Sequence, residues 1–141
     1  MEGLSWNELW TVFVDFLANQ YLLGKTDIEI ARAVTGRAVR WSGTVARMNL
    51  GSKYVPGVEL SMGSYRVELR DGRHIGQEYL YLHVSDTTSW LRTNVGDHVQ
   101  FVGQIKKSHE RSPFLPVGLI IDEEQNWIAI TLAIRDCVRT S

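Results

Sequence analysis

The sequence predicts a mainly β protein of the α+β class, in which one or two helices precede a β-rich body. Apolar residues recur at helical spacing near the start of the chain, and from residue 37 onward they alternate with polar residues at strand spacing. The 141 residues, of which 44% are hydrophobic, suffice for one domain with its own core. We therefore divide the chain into a helical extension, residues 1–36, and a β-rich body, residues 37–141.

The first helix is predicted over residues 5–23. Ser5 and Glu8 have the spacing of a capping box, and Gly24 ends the helical pattern. Its apolar residues are Trp6, Leu9, Trp10, Phe13, Leu17 and Tyr21, with Val12, Phe16 and Leu23 beside them. The resulting apolar arc is wider than that of a typical surface helix, so we expect this helix to be buried on more than one side.

A second, short helix is predicted over about residues 27–35, with Thr26 or Asp27 as its N-cap and Gly36 beyond its end. The periodicity then changes, and the stretch 38–48 is the first predicted strand. The alternating apolar residues of the four clearest strands are Val39, Trp41, Gly43 and Val45; Val58, Leu60 and Met62, continued by Tyr65, Val67 and Leu69; Leu80, Leu82 and Val84; and Val99, Phe101, Gly103 and Ile105.

Two regions of the β-rich body need a separate interpretation. The second strand is predicted to run through Gly63 with a bulge or bend there, because glycine inside a strand pattern often marks one. Residues 119–121 are predicted as a short strand. The segment 127–135 fits both an alternating strand and a helix face, and its β-branched residues favour the strand.

Three segments carry a recognisable strand pattern, namely residues 40–45 (RWSGTV), 79–84 (YLYLHV) and 95–105 (VGDHVQFVGQI). They resemble the OB-fold, in particular its tRNA-anticodon-binding-like group. Members of this group have G-x-V in the first strand, G-D-x-V-x-[FV]-x-G-x-[IV] in the fourth, and a last strand that ends near a cysteine, which is Cys137 here. The resemblance covers about residues 37–138 and implies a five-stranded Greek-key barrel.

Small barrels of this kind need sharply bent strands and a closed end. The first strand has to pair in both halves of the sheet, and Gly43 permits the necessary bend, as Gly103 does in the fourth strand. Between the third and fourth strands, residues 86–91 (DTTSWL) suit a short helix or turn that plugs one end. The lone Cys137 is interpreted as a small core residue, since no second cysteine exists to form a disulfide or a cysteine-based zinc site.

The resemblance implies a ligand-binding surface on the outer face of the second and third strands. Alternation directs Tyr79, Tyr81 and His83 outward on one strand, and Arg66, Glu68 and Arg70 outward on its neighbour. The flanking loops add Lys53, Tyr54, Lys106, Lys107, Arg111 and Phe114. Aromatic rings stack on bases and arginines contact phosphates, so these residues are predicted to bind single-stranded DNA or RNA. The alternative is purely structural, because exposed tyrosine and arginine are common in strands.

Charge and motif content narrow the function classes. The chain has 15 basic and 16 acidic residues, a balance that argues against binding to duplex DNA. Residues 1–36 have a net charge of −3 and residues 37–141 one of +2, so the predicted barrel is mildly basic. No zinc motif, phosphate-binding loop or nucleophile with an adjacent base is evident. We therefore expect a non-catalytic protein without a metal or cofactor.

A second hypothesis concerns the aromatic start of the chain. Trp6, Trp10 and Phe13 have the composition of an interface hot spot, which suggests a protein-interaction or assembly module whose first helix docks a partner or a second copy. The competing interpretation is that this helix caps the barrel. The sequence has no recognisable secretory signal or membrane-spanning segment, so a cytoplasmic location without a membrane partner is expected.

Overall fold

A computed structural model describes residues 6–51, 56–106 and 117–141 of the chain. Its helices are α1 (Trp6–Leu22) and α2 (Asp27–Val34), with a short 3-10 helix at Thr88–Trp90. Its strands are β1 (Ala38–Asn49), β2 (Gly57–Glu68), β3 (His74–His83), β4 (His98–Ile105), β5 (Val117–Asp122), β6 (Trp127–Leu132) and β7 (Ile134–Arg139). The protein is mainly β with two helices, as predicted, and the ambiguous segment 127–135 is strand, interrupted at residue 133.

The two helices agree with the sequence prediction. In α2, the side chain of Thr26 accepts a hydrogen bond from the Glu29 backbone N–H, and the Glu29 carboxylate accepts one from the Thr26 backbone N–H. This is the reciprocal capping box expected of an N-cap threonine. For α1, Ser5 of the predicted capping box lies outside the described residues. None of the helices in the described part of the chain is long and apolar enough to cross a membrane.

Five of the strands close into a ring in the order β1, β2, β3, β7, β4 and back to β1. The β3–β7 pair is parallel, and the other four pairs of the ring are antiparallel. β1 changes partner within its length, since residues 38–44 pair with β4 and residues 44–49 pair with β2. The remaining strands extend the sheet sideways, because β6 pairs with β3 and β5 pairs with β6.

The core of the protein lies inside the ring and under α1. Trp10 and Phe13 of α1 pack on Trp41 of β1, with ring centroids 4.9 and 5.1 Å apart. On the segment between β3 and β4, Trp90 is fully buried, and its indole N–H donates a hydrogen bond to the backbone carbonyl of Cys137 at 2.9 Å. Residues 86–91, predicted as a short helix or turn, thus contain a 3-10 helix, and its Trp90 is hydrogen-bonded to β7.

Glycines mark the places where strands bend or approach each other closely. Gly63 has a φ of +79°, and the β2–β3 register shifts between Ser61 and Tyr65, so the predicted bulge is confirmed. Gly103 lies at a register shift between β4 and β7. Gly43 lies next to the residue at which β1 changes partner, and a Cβ there would be 2.9 Å from the Ser61 carbonyl oxygen, so Gly43 allows β1 and β2 to approach closely.

Candidate nucleic-acid interface

The outer face of β1, β2 and β3 presents three cross-strand rows of residues. Directly paired residues project on the same side of a sheet, so the registers define the rows. The rows are Thr44, Ser61 and Tyr79; then Arg47, Glu59 and Tyr81; then Asn49, Gly57 and His83. The adjacent positions of β2 and β3 on the other side of the sheet, Val58, Leu60, Leu80 and Leu82, are fully buried. These rows, called the outer patch below, therefore face away from the core.

Two tyrosines dominate the outer patch. Tyr79 is 49% exposed and Tyr81 is 40% exposed, which is high for aromatic side chains. The His83 ring meets the Tyr81 ring edge-on, with centroids 5.0 Å apart. The Tyr81 hydroxyl lies so close to Gly57 that a Cβ on Gly57 would overlap it. The Tyr81 side chain therefore lies across the β2 backbone at Gly57, with the His83 ring packed against it.

A shallow depression of about 300 Å³ adjoins Tyr81. Its lining residues are Arg47, Met48, Asn49, Gly57, Glu59 and Tyr81. An aromatic wall, an amide, a guanidinium and a carboxylate thus surround one concave area. Such a combination provides a flat apolar surface for a ring and hydrogen-bonding groups for its edge.

The electrostatics of the outer patch are mixed. Burial, followed by the nearby positive charge of Arg135, lowers the pKa of His83 from its ordinary value of 6.5, so this imidazole is neutral at pH 7. Its Nδ1 atom is buried and has no hydrogen-bond partner among the described residues. Arg47 and Glu59 are then the charged residues of the three rows. The patch is aromatic and polar, without a strong positive charge.

Arg66 and Arg70 are not part of the outer patch. Arg66 pairs with Gly76, which is an even number of residues from Leu80 on β3, so its side chain projects on the side of the sheet opposite to Tyr79. The Arg66 guanidinium lies 3.7 Å from the centroid of the Trp127 ring. Arg70 is exposed beyond the end of β2. The prediction of a single face of tyrosines and arginines is therefore wrong, because the register places Arg66 on the other side of the sheet and Arg70 lies beyond the paired part of β2.

The predicted loop residues are of two kinds. Lys53, Tyr54, Lys107, Arg111 and Phe114 lie outside the described residues. Lys106 is described and forms an ion pair with Asp136, which also accepts a hydrogen bond of 2.7 Å from the Ser85 hydroxyl. The hydrogen bonds from Lys106 and Ser85 lower the pKa of Asp136. Lys106 therefore links β4 to β7.

Two of the three aromatic residues predicted to bind a partner, Trp10 and Phe13, lie between α1 and β1. Trp10 is 2% exposed and Phe13 is 7% exposed, and both contact Trp41. Trp6 begins α1, and its side chain is not among those described. In this structure the Trp10 and Phe13 rings pack α1 against β1 and are buried there, so they are not available to a partner while α1 stays in place.

The structure adds Arg47, Asn49 and Glu59 to the candidate site. Arg47 is two residues from buried Val45, so simple alternation places its side chain inside. The β1–β2 register shifts between Val45 and Arg47, however, with Ala46 as the extra residue, and this shift brings Arg47 to the outer face. Residues 44–48 contain no glycine or other residue that would have indicated this bulge from the sequence.

Other kinds of site find little support in the described residues. No three His, Cys, Asp or Glu side chains in that part of the chain are arranged to hold a metal ion. Burial raises the pKa of the Cys137 thiol to about 12, so it is no thiolate at neutral pH. Comparisons with protein-family models, with curated proteins and with solved structures found no match to the chain.

Proposed function

We propose that the five-stranded ring is an OB-fold and that the protein is a non-catalytic module that binds single-stranded nucleic acid on the outer patch. The order of the ring supports the fold, because its first strand pairs with both its second and its fourth strand. The position of the patch supports the function. Ligands of OB-folds bind on the face of the second and third strands, where Tyr79 and Tyr81 lie.

The pair of exposed tyrosines on β3 is the observation that carries this proposal. Tyr79 and Tyr81 are two residues apart on one side of the strand, so their Cα atoms are separated by about 7 Å. Two bases of an extended strand can each stack on one ring, and each stacked base contributes about 1–3 kcal/mol. Arg47 lies in the same row as Tyr81 and is available to contact a phosphate.

The charge of the patch favours single strands over duplexes. Affinity for a duplex comes mainly from many simultaneous phosphate contacts. The three rows contain one arginine, Arg47, and it is paired with the acidic Glu59, so they cannot provide many such contacts. Stacking needs unpaired bases whose faces are accessible. We therefore expect binding that depends on aromatic rings and changes little with salt.

Fluorescence anisotropy with a labelled 15-nucleotide oligo-dT and a mixed-sequence RNA of the same length, at 50 mM salt, tests this proposal. Replacing both tyrosines, Tyr79→Ala with Tyr81→Ala, is expected to weaken binding at least tenfold, about 1.4 kcal/mol. The matched control, Tyr79→Phe with Tyr81→Phe, retains both rings and should bind nearly as the wild type does. The proposal is overturned if the wild-type protein does not bind either oligonucleotide or if the double alanine variant binds equally well.

A pair of arginine variants tests the position of the interface. Arg47→Ala is expected to reduce the slope of log affinity against log salt by about 0.7, as expected for the loss of one phosphate contact. Arg70→Ala makes the same chemical change outside the outer patch and should leave the slope unchanged. The opposite result would place the bound strand at the β2–β3 turn.

A further inference from the structure

The apolar surface of α1 has a buried part and an open part. Val14, Leu17 and Ala18 are almost completely buried. Val12 is 40% exposed and Phe16 is half-buried, although the wide apolar arc of this helix calls for burial on more than one side. The open part of the arc therefore lacks a cover among the described residues.

A groove of about 320 Å³ runs between this open part and the start of β1. Its apolar walls are Leu9, Val12, Phe13 and Phe16 from α1 and Val39 and Trp41 from β1. The four helix residues have the spacing i, i+3, i+4 and i+7, so they form one continuous stripe. The volume lies at the lower end of that of ligand pockets, which suits a few large side chains.

Positive charge lies directly beside the apolar walls. Arg37 and Arg40 both line the groove, and no Asp or Glu is among the described residues that line it. The Arg37 guanidinium lies 5.1 Å from the centroid of the Phe16 ring, so a cation and an aromatic surface are adjacent. The groove is therefore complementary to an apolar group next to a carboxylate.

We propose that this groove binds a short segment of a partner protein in which large apolar side chains adjoin an aspartate or glutamate. A nucleic acid is a poor fit, because the walls are mainly aliphatic and aromatic and provide few hydrogen-bonding groups. A symmetric dimer through the groove would bring like charges together, since each copy presents the same two arginines. An acidic and apolar segment satisfies both features at once.

Selection of a displayed library of random 12-residue peptides on the immobilised full chain tests the proposal. The enriched peptides are expected to pair an acidic residue with leucine, isoleucine, phenylalanine or tryptophan. They should bind the wild-type protein at least tenfold more tightly than Val12→Asp, which places a carboxylate in the groove, or Arg37→Glu, which reverses the charge beside it. The controls Val95→Asp and Arg92→Glu make the same changes at exposed positions that do not line the groove and should not alter binding.

Several outcomes would overturn the proposal. They are enriched peptides without acidic residues, binding that survives both groove variants, and a light-scattering mass of a dimer that Val12→Asp converts to a monomer. Thermal unfolding of each variant identifies any loss of fold. Val12→Asp and Arg37→Glu alter different elements of the structure, so the test remains valid if one of them fails to fold. The proposal is independent of nucleic-acid binding, because the variant with both Tyr79→Ala and Tyr81→Ala should retain full peptide affinity.

Discussion

The two halves of the β2–β3 hairpin bury opposite sides of the same sheet. In the half that belongs to the ring, Leu80 and Leu82 are fully buried and Tyr79 and Tyr81 on the other side are exposed. In the half near the turn, Ile75 projects on the side of Tyr79 and is fully buried, as 0% of it is exposed. Arg66 and Glu68, on the side of Leu80, are exposed there.

The helix α1 accounts for this reversal. It lies against the half of the hairpin near the turn, called the distal half below. There the Tyr65 hydroxyl donates a hydrogen bond of 2.7 Å to the Asp15 carboxylate. Arg73, beside the turn, donates one of 2.9 Å to the Tyr21 hydroxyl. Alternation therefore determines which residues share a side, but the element packed against the strand decides which side is buried.

Among the substitutions that test this comparison of the two halves of the hairpin, Ile75→Ala is expected to lower the stability most. The change truncates a fully buried side chain. We expect the free energy of unfolding to fall by about 2–5 kcal/mol, the usual range for a buried isoleucine or leucine replaced by alanine. Urea unfolding followed by circular dichroism measures it. Tyr79→Ala, on the same side of β3 but half exposed, is the control and should cost clearly less. Equal costs would mean that α1 does not cover the distal half.

The next effect concerns the bulge that joins the two halves. Gly63 has a φ of +79°, and a Cβ there would meet no atom within 4 Å, so the cost of Gly63→Ala is conformational. We expect a loss of about 1–2 kcal/mol in unfolding free energy, because an L-residue is strained in the left-handed region. Gly51→Ala, where a Cβ also has open space and φ is not in that region, is the control. A Gly63→Ala variant as stable as wild type would show that the bulge tolerates another backbone conformation.

The smallest effect comes from the contact between α1 and the distal half. Tyr65→Phe removes the hydrogen bond to Asp15, and we expect a loss of about 0.5–1.5 kcal/mol at pH 7, near the lower limit because the bond is exposed. The hydrogen bond to Asp15, assisted by burial and the negative charge of Asp15, raises the pKa of Tyr65 above its ordinary value of 10.0. A raised pKa in the folded state stabilises the protein fully below pH 10, and this contribution is lost as the pH rises through the raised value.

The stability difference between wild type and Tyr65→Phe should therefore shrink above pH 10. Urea unfolding at a series of pH values from 7 to 11 measures it. In an Asp15→Asn background the same substitution should lose most of its pH dependence, because the negative charge that favours the protonated phenol is gone. A difference that stays constant across this range would contradict the role assigned to Asp15.

Much of the secondary structure followed from the residues alone. Thr26 as one of two alternative N-caps of α2, the bulge or bend at Gly63, and a short helix or turn within residues 86–91 were all predicted, because each depends on neighbours in the sequence. The candidate site was predicted only in part. The exposure of Tyr79 and Tyr81 follows from alternation within one strand. Arg66, in contrast, was predicted on the face of the tyrosines and lies on the opposite side, and Arg47 was not predicted as a site residue.

There is a physical reason why some of these features could be predicted from the sequence and others could not. Local periodicity, capping and turn chemistry are written in adjacent residues, so the sequence alone determined a mainly β chain led by two helices, with Leu80 and Leu82 opposite Tyr79 and Tyr81. Register and packing depend on residues far apart in the chain. Only the tertiary structure therefore decided that a bulge turns Arg47 toward Tyr81, that α1 buries Ile75, and that an open groove remains beside Val12.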